Sequence, residues 1–123
     1  MKQSLLCLAI LYFLVGVSSC KKDKNPIIDN QVIKVTIHSS EDYYYDLGSY
    51  GKQERASITR QATHYQLSSM LRDSNSLNIT YKYKPAQGYV GTDEVEIKSE
   101  KSSDGSTAND IVILTTIKFT VNN

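Results

Sequence analysis

Two histidines, His38 and His64, are the only imidazoles in the 123 residues, so any Ser-His-Asp relay has to be built on one of them. Serines are scattered through turn-like stretches, and no Gly-x-Ser-x-Gly elbow lifts one into a nucleophile's position. Neither a phosphate-cradling glycine loop nor a Gly-x-Gly-x-x-Gly pattern is present. His38 reads as a strand-face residue and His64 as a turn residue, and the chain is expected to be no enzyme, with no cofactor and no metal. Asp93, Glu94 and Glu96, with Asp104, Asn109 and Asp110 further on, offer hard oxygen ligands of the type calcium takes. Glu94 and Glu96 alternating near Lys98 read more simply as a solvated strand face. The feature most suggestive of recognition is the stretch Glu41–Gly51, which carries Tyr43, Tyr44, Tyr45 and Tyr50. Tyrosine buries large area at low entropic cost, and its hydroxyl hydrogen-bonds sugars or peptides. These four are the candidate ligand contacts. An ordinary alternative packs Tyr43 and Tyr45 inward from an edge strand.

The elements that must position these residues are bounded by composition. There are 14 Lys and Arg against 13 Asp and Glu, and removing residues 1–19 takes away only Lys2, leaving 13 against 13. A balanced chain has no uniform field to draw it to nucleic acid. Hydrophobic residues make up 40% of the sequence, with nine Tyr and no Trp, enough for one modest core and too much for a disordered chain.

Residues 1–20 begin with Met1 and Lys2 and continue into the apolar run Leu5–Val17. That run is shorter than the roughly 20 residues that span a bilayer, and it fits the core of a signal peptide. Val17-Ser18-Ser19-Cys20 resembles the lipobox of bacterial lipoproteins, in which an aliphatic and two small residues precede the lipidated cysteine. The resemblance implies a thioether-linked lipid at Cys20 and cleavage before it. Cys7 would leave with the signal peptide, so no free thiol or disulfide would remain. Lys21-Lys22-Asp23-Lys24-Asn25-Pro26 is polar and aperiodic, as a tether is. The expected organisation is a signal peptide at 1–19, lipidated Cys20 and tether at 20–30, and one domain at 31–123. The wording after the cysteine resembles lipoproteins of Bacteroidota, which implies an outer-membrane location, on its periplasmic face or at the cell surface.

From Gln31 onward the hydrophobic period is two. Ile33, Val35 and Ile37 share one strand face over 31–38. Ile111, Ile113, Thr115, Ile117, Phe119 and Val121 share a face of the longest periodic run, whose first half is apolar on both sides and is expected to be central and covered twice. Shorter runs lie at 77–84, at 94–98 and, more weakly, at 55–61. Leu67, Met70 and Leu71 suit a short helix as well as a strand, and the turn cluster Asp73-Ser74-Asn75-Ser76 tips the segment towards a hairpin. About seven short strands without a sustained helix predict an all-β antiparallel sandwich.

The passage from Ile58 through Thr63-His64, the turn at 72–76, and Leu77 to Asp93 resembles the cadherin-like, immunoglobulin-like repeats of bacterial surface proteins. Its most specific part is Pro85-Ala86-Gln87-Gly88-Tyr89-Val90-Gly91-Thr92-Asp93. Physical roles for this turn follow from its residues: Pro85 ends a strand, Gly88 and Gly91 accept positive φ, Tyr89 tucks under the crossover and Asp93 caps the turn. The resemblance implies an immunoglobulin-like fold, and the lipobox with the tyrosine-dense stretch leads to the expectation of a non-catalytic, membrane-anchored binding or accessory module with a protein or glycan partner and no nucleic acid. The alternatives are a structural subunit pairing through a sheet edge and a small periplasmic inhibitor lipoprotein.

Overall fold

The computed structural model describes residues 25–51, 54–105 and 108–123. The signal-peptide and Cys20 assignments lie outside the described residues. Seven strands follow one another: β1 Ile27–His38, β2 Tyr43–Ser49, β3 Arg55–Arg60, β4 Tyr65–Arg72, β5 Asn78–Pro85, β6 Gly91–Lys101 and β7 Ile111–Asn122. They form a four-stranded sheet in the order β1-β7-β6-β3 and a three-stranded sheet in the order β2-β5-β4. The chain is an all-β sandwich of the expected strand number.

The period of two decides which side chains meet between the sheets. Val95 and Ile97 of β6, Ile117, Phe119 and Val121 of β7, and Tyr81 and Tyr83 of β5 are buried essentially completely. Tyr83 stacks on Phe119 across the sheets, with centroids 4.0 Å apart and planes 10° from parallel. Tyr43 meets the edge of the same ring at 5.4 Å and 76°. Offset and edge-on aromatic pairs satisfy the ring quadrupoles as well as burying area.

Four expectations are corrected. β1 begins at Ile27 rather than Gln31, and Ile27–Asn30 pair with Ile111–Leu114 instead of serving as tether. That pairing is parallel through all of β1, so the sandwich is not wholly antiparallel. The reason is topological: successive strands reverse direction, so the odd-numbered β1 and β7 run the same way, and the sheet order places them side by side. The third correction concerns β7, which does lie between two strands, yet its two-faced apolar half is only partly buried. Val112 and Leu114 are on the outer face, which no third layer covers among the described residues. Finally, Leu77 precedes β5 rather than starting it and sits at φ +59, an uncommon conformation for a branched side chain, where it closes the β4–β5 turn. The segment open between helix and strand is the strand β4, hairpinned to β5.

Phe119→Ala would remove the ring on which Tyr83 and Tyr43 both rest. Equilibrium urea unfolding should show a loss of about 3–5 kcal/mol, and a loss under 1 kcal/mol would show that the stack is not central to the core.

Candidate functional site

Strand direction sorts the loops into two groups. β2, β4 and β6 end where β1 begins, so the β2–β3, β4–β5 and β6–β7 loops gather at that end. The β1–β2, β3–β4 and β5–β6 loops gather at the other.

At the second end the Pro85–Asp93 turn is packed against the β3–β4 loop. Pro85 is buried as the last residue of β5, and Gly88 takes φ +71. Gly91 lies at φ +145, and a Cβ there would come within 2.8 Å of the Tyr89 hydroxyl. Tyr89 stacks on His64, centroids 4.2 Å apart, and donates its hydroxyl to the Thr92 carbonyl at 2.5 Å. Asp93 is buried and reaches a different loop from its own: it accepts from the backbone N–H of Thr63 at 2.9 Å and of His64 at 2.9 Å, from Glu94 N–H at 2.9 Å and from the Tyr83 hydroxyl at 2.9 Å. Burial opposes ionisation of Asp93, but these four donors outweigh it and hold the carboxyl below its ordinary value. Burial, reinforced by the hydrogen bond to Asp93, pushes the Tyr83 hydroxyl far up, so it stays a donor. His64 pairs its Nδ1 with the Thr63 hydroxyl at 2.9 Å, and that hydroxyl lies 3.2 Å from Asp93. The whole arrangement fastens a corner.

The four tyrosines do not share a surface. Tyr50 is 3% exposed and lies under the Lys101 ammonium, 4.2 Å from the ring centroid, which corrects its assignment to a contact patch. Tyr43 and Tyr45 alternate inward from β2, an edge strand, and pack on the core. Only Tyr44, 56% exposed, faces out, and Lys82 lies 5.0 Å from its ring centre. Period-two alternation along β2 therefore separates the cluster that proximity in sequence suggested. The oxygen ligands weighed for calcium are dispersed too. Glu94 pairs with Arg60 and Lys118 on the outer sheet face, Asp93 is at one end, and Asp104 and Asp110 are at the other, bonded to Ser102 and Ser103. Among the described residues no group of three potential metal ligands converges. A groove of about 770 Å³ runs over the outer face beside Lys34, Thr36, Arg60, Thr92, Lys118 and Thr120.

At the first end the three loops are locked together by two residues that local sequence does not single out. Arg72, the last residue of β4, donates to the carbonyls of Tyr50 at 3.3 Å, Gly51 at 2.9 Å and Glu54 at 3.2 Å. Glu54 accepts from Gly51 N–H at 2.6 Å and from Ser102 N–H at 3.0 Å, joining the β2–β3 and β6–β7 loops. Those two N–H groups, Ser102 first, hold the Glu54 carboxyl below its ordinary range. Ser49 donates to the Ser76 carbonyl at 2.9 Å and Tyr50 N–H to Leu77 at 3.1 Å, tying in the β4–β5 loop. The turn itself is held by Asp73, whose carboxylate accepts from Asn75 N–H at 2.7 Å. An arginine 18 to 22 residues from its acceptors has no local signature. The available signal is only that it flanks a turn cluster. At this end the described residues of three loops are tied to one another by side-chain hydrogen bonds to main-chain groups, and a surface so tied has less to order on binding.

No family model matches the chain, and no curated protein matches it in sequence. Among solved structures, the cysteine protease inhibitor EhICP2 from Entamoeba histolytica superposes with a TM-score of 0.50 at 12% identity, over 80% of this chain and 100% of that one. PbICP-C, solved in complex with falcipain-2, superposes with a TM-score of 0.54 at 12% identity, over 80% and 93%. An endo-fucoidan hydrolase of glycoside hydrolase family 107 gives 0.51 at 12% identity over 84% of this chain, which spans only 14% of that enzyme. At such identity the likeness is one of fold.

Asp93→Asn tests the corner. A carboxyl lowered in the fold stabilises above its unfolded value of about 3.8 and loses that contribution as pH falls through the folded value. Urea unfolding between pH 7 and pH 2 should show acid destabilisation in the native chain that is weaker in the Asp93→Asn variant, which should also be less stable at pH 7. Identical acid limbs would show that Asp93 is not the group titrating there.

Proposed function

We propose that this chain is a non-catalytic, lipid-anchored module of the bacterial outer membrane that binds a protein partner through the loop end braced by Arg72 and Glu54. The observation that carries this reading is the brace itself. Described residues of three loops are joined by charge-assisted hydrogen bonds to main-chain groups, which lowers the ordering entropy those residues lose on association. The corner at the other end uses its polar groups internally, and the described histidines sit beside Ser40 and Thr63 without forming a nucleophile-base-acid unit.

Within that reading the small-inhibitor alternative gains support. One structural neighbour is a cysteine protease inhibitor and another, PbICP-C, was solved in complex with falcipain-2, and this chain covers nearly all of each. A peptidase is the partner class we favour over a glycan, because the tyrosine patch that would have stacked on sugars does not form.

The anchor adds a constraint. Six residues separate Cys20 from Ile27, and fully extended they reach about 20 Å. β1 starts at the loop end, so a lipid on Cys20 would hold these loops near the membrane. The partner would then be a protein working at that surface.

Titration of papain and falcipain-2 with the purified chain tests the proposal. Saturable one-to-one loss of peptidase activity is expected, with Arg72→Ala weakening it about tenfold or more, equivalent to about 1.4 kcal/mol. Full peptidase activity at all concentrations would reject the inhibitor reading. If, in addition, Arg72→Ala crosslinks the same envelope proteins as the native chain, the loop end is not the binding surface.

A further inference from the structure

Every sheet edge carries a row of main-chain groups with no strand beside it, and proteins blunt such edges with bulges, prolines or charges. Three of the four edges here are interrupted. The pairing of β2 with β5 shifts between Asp46 and Gly48, that of β3 with β6 between Ile58 and Arg60, and that of β4 with β5 between Tyr65 and Leu67. The fourth edge, β1, pairs with β7 in unbroken register from Ile27 to His38. It has no proline within it, and its exposed apolar side chains are Ile27 at 64%, Ile28 at 60% and Val32 at 61%, beside the exposed polar and charged Asp29, Asn30, Gln31, Lys34, Thr36 and His38.

The geometry of the parallel pair says which groups are open. Ile27 N–H donates to the Asp110 carbonyl at 2.8 Å, so odd-numbered residues of β1 turn their main chain to β7 and even-numbered ones turn it outward. His38 N–H, at one limit of the edge, is taken by the Glu41 carboxylate at 2.8 Å. Among the described residues, no side chain takes the outward N–H groups of Ile28, Asn30, Val32, Lys34 or Thr36 in this way.

We propose that this edge pairs with a second copy of itself, antiparallel, about a two-fold axis through Asn30. In a continuous sheet, facing residues must lie on the same face, so only residues of equal parity can oppose one another. The axis through Asn30 places Ile28 against Val32 and Asn30 against Asn30 on the outer face, and Ile27 against Ile33 and Asp29 against Gln31 on the inner. Apolar faces apolar and polar faces polar at every position. Moving the axis to Gln31 sets Ile28 against Lys34 and Asp29 against Ile33, and moving it to Val32 sets Asp29 against Val35. An axis at Lys34 opposes two ammonium groups, which is destabilising. Among registers that oppose at least seven residues of β1, this one alone pairs like with like at every position, and it covers the two most exposed apolar side chains of the outer face, Ile28 and Val32, with each other. The partner is the same chain, and the two-fold interface is isologous. The two four-stranded sheets would become one.

Cysteine crosslinking of the full chain tests this register. Facing residues that exchange main-chain hydrogen bonds have Cα atoms about 5.5 Å apart, within the range a disulfide bridges. Asn30→Cys is expected to give a disulfide-linked dimer on mild oxidation, and Thr36→Cys none, with the unaltered chain alongside to show any bridging through Cys7 or Cys20. Adding Val32→Lys to Asn30→Cys should abolish the crosslink while thermal unfolding stays where it was, since Val32 is exposed. Equal crosslinking at 30 and 36, no dimer from Asn30→Cys, or a different envelope protein recovered on Asn30→Cys would each overturn self-pairing.

Discussion

The stack of Tyr83 on Phe119 is the contact on which the two ends and the two sheets of this molecule depend. The rings join β5 of one sheet to β7 of the other at van der Waals distance, and an aromatic pair of this kind contributes about 0.5–1.5 kcal/mol beyond the area it buries. A buried tyrosine must also place its hydroxyl. Here it donates to Asp93 at 2.9 Å and lies 3.2 Å from the His64 carbonyl. Core packing and the corner are thereby one structure: Asp93 can be buried because Tyr83 and three N–H groups surround it, and Tyr83 can be buried because Asp93 accepts the hydrogen bond its hydroxyl donates. A carboxylate in such a place stabilises through its donors and costs heavily when they are removed.

The opposite end is organised on a different physical basis. No aromatic core reaches between its loops except Tyr50, and cohesion comes from Arg72 and Glu54 reaching main-chain atoms. A guanidinium satisfying three carbonyls does for these loops what strand pairing does for the sheets. Such interactions are partly exposed, so their strength is moderate and their value is geometric: they reduce the number of arrangements available to the loops. A rigid corner at one end and a braced set of loops at the other leave the second as the surface that differs most readily in chemistry without disturbing the core.

The departure of β1 from the three-stranded sheet has consequences for both. By pairing in parallel with β7 it brings the start of the domain beside the loop end and leaves one side of its own main chain open. The three remaining edges are bulged, as edges of soluble sandwiches generally are. β1 keeps its register across its full length, with the exposed apolar side chains Ile27, Ile28 and Val32 beside the charged Asp29 and Lys34.

Much of the fold was legible in the sequence because alternation along a strand is a local property. The faces of Ile33-Val35-Ile37 and of Ile117-Phe119-Val121 follow from period two, and Pro85, Gly88 and Gly91 mark their turn through backbone restrictions that each residue carries with it. The lipid-anchor reading is likewise a matter of local sequence, in Val17–Cys20, and lies outside the described residues. What alternation cannot report is the identity of the strand alongside. Parallel pairing of β1, inward burial of Tyr50, the attachment of Asp93 to the β3–β4 loop and the reach of Arg72 to the β2–β3 loop all join residues far apart in the chain. Those joins are selected by the packing of the whole sandwich, since each hydrogen bond or ring contact is favourable only after both partners have been brought to the same place.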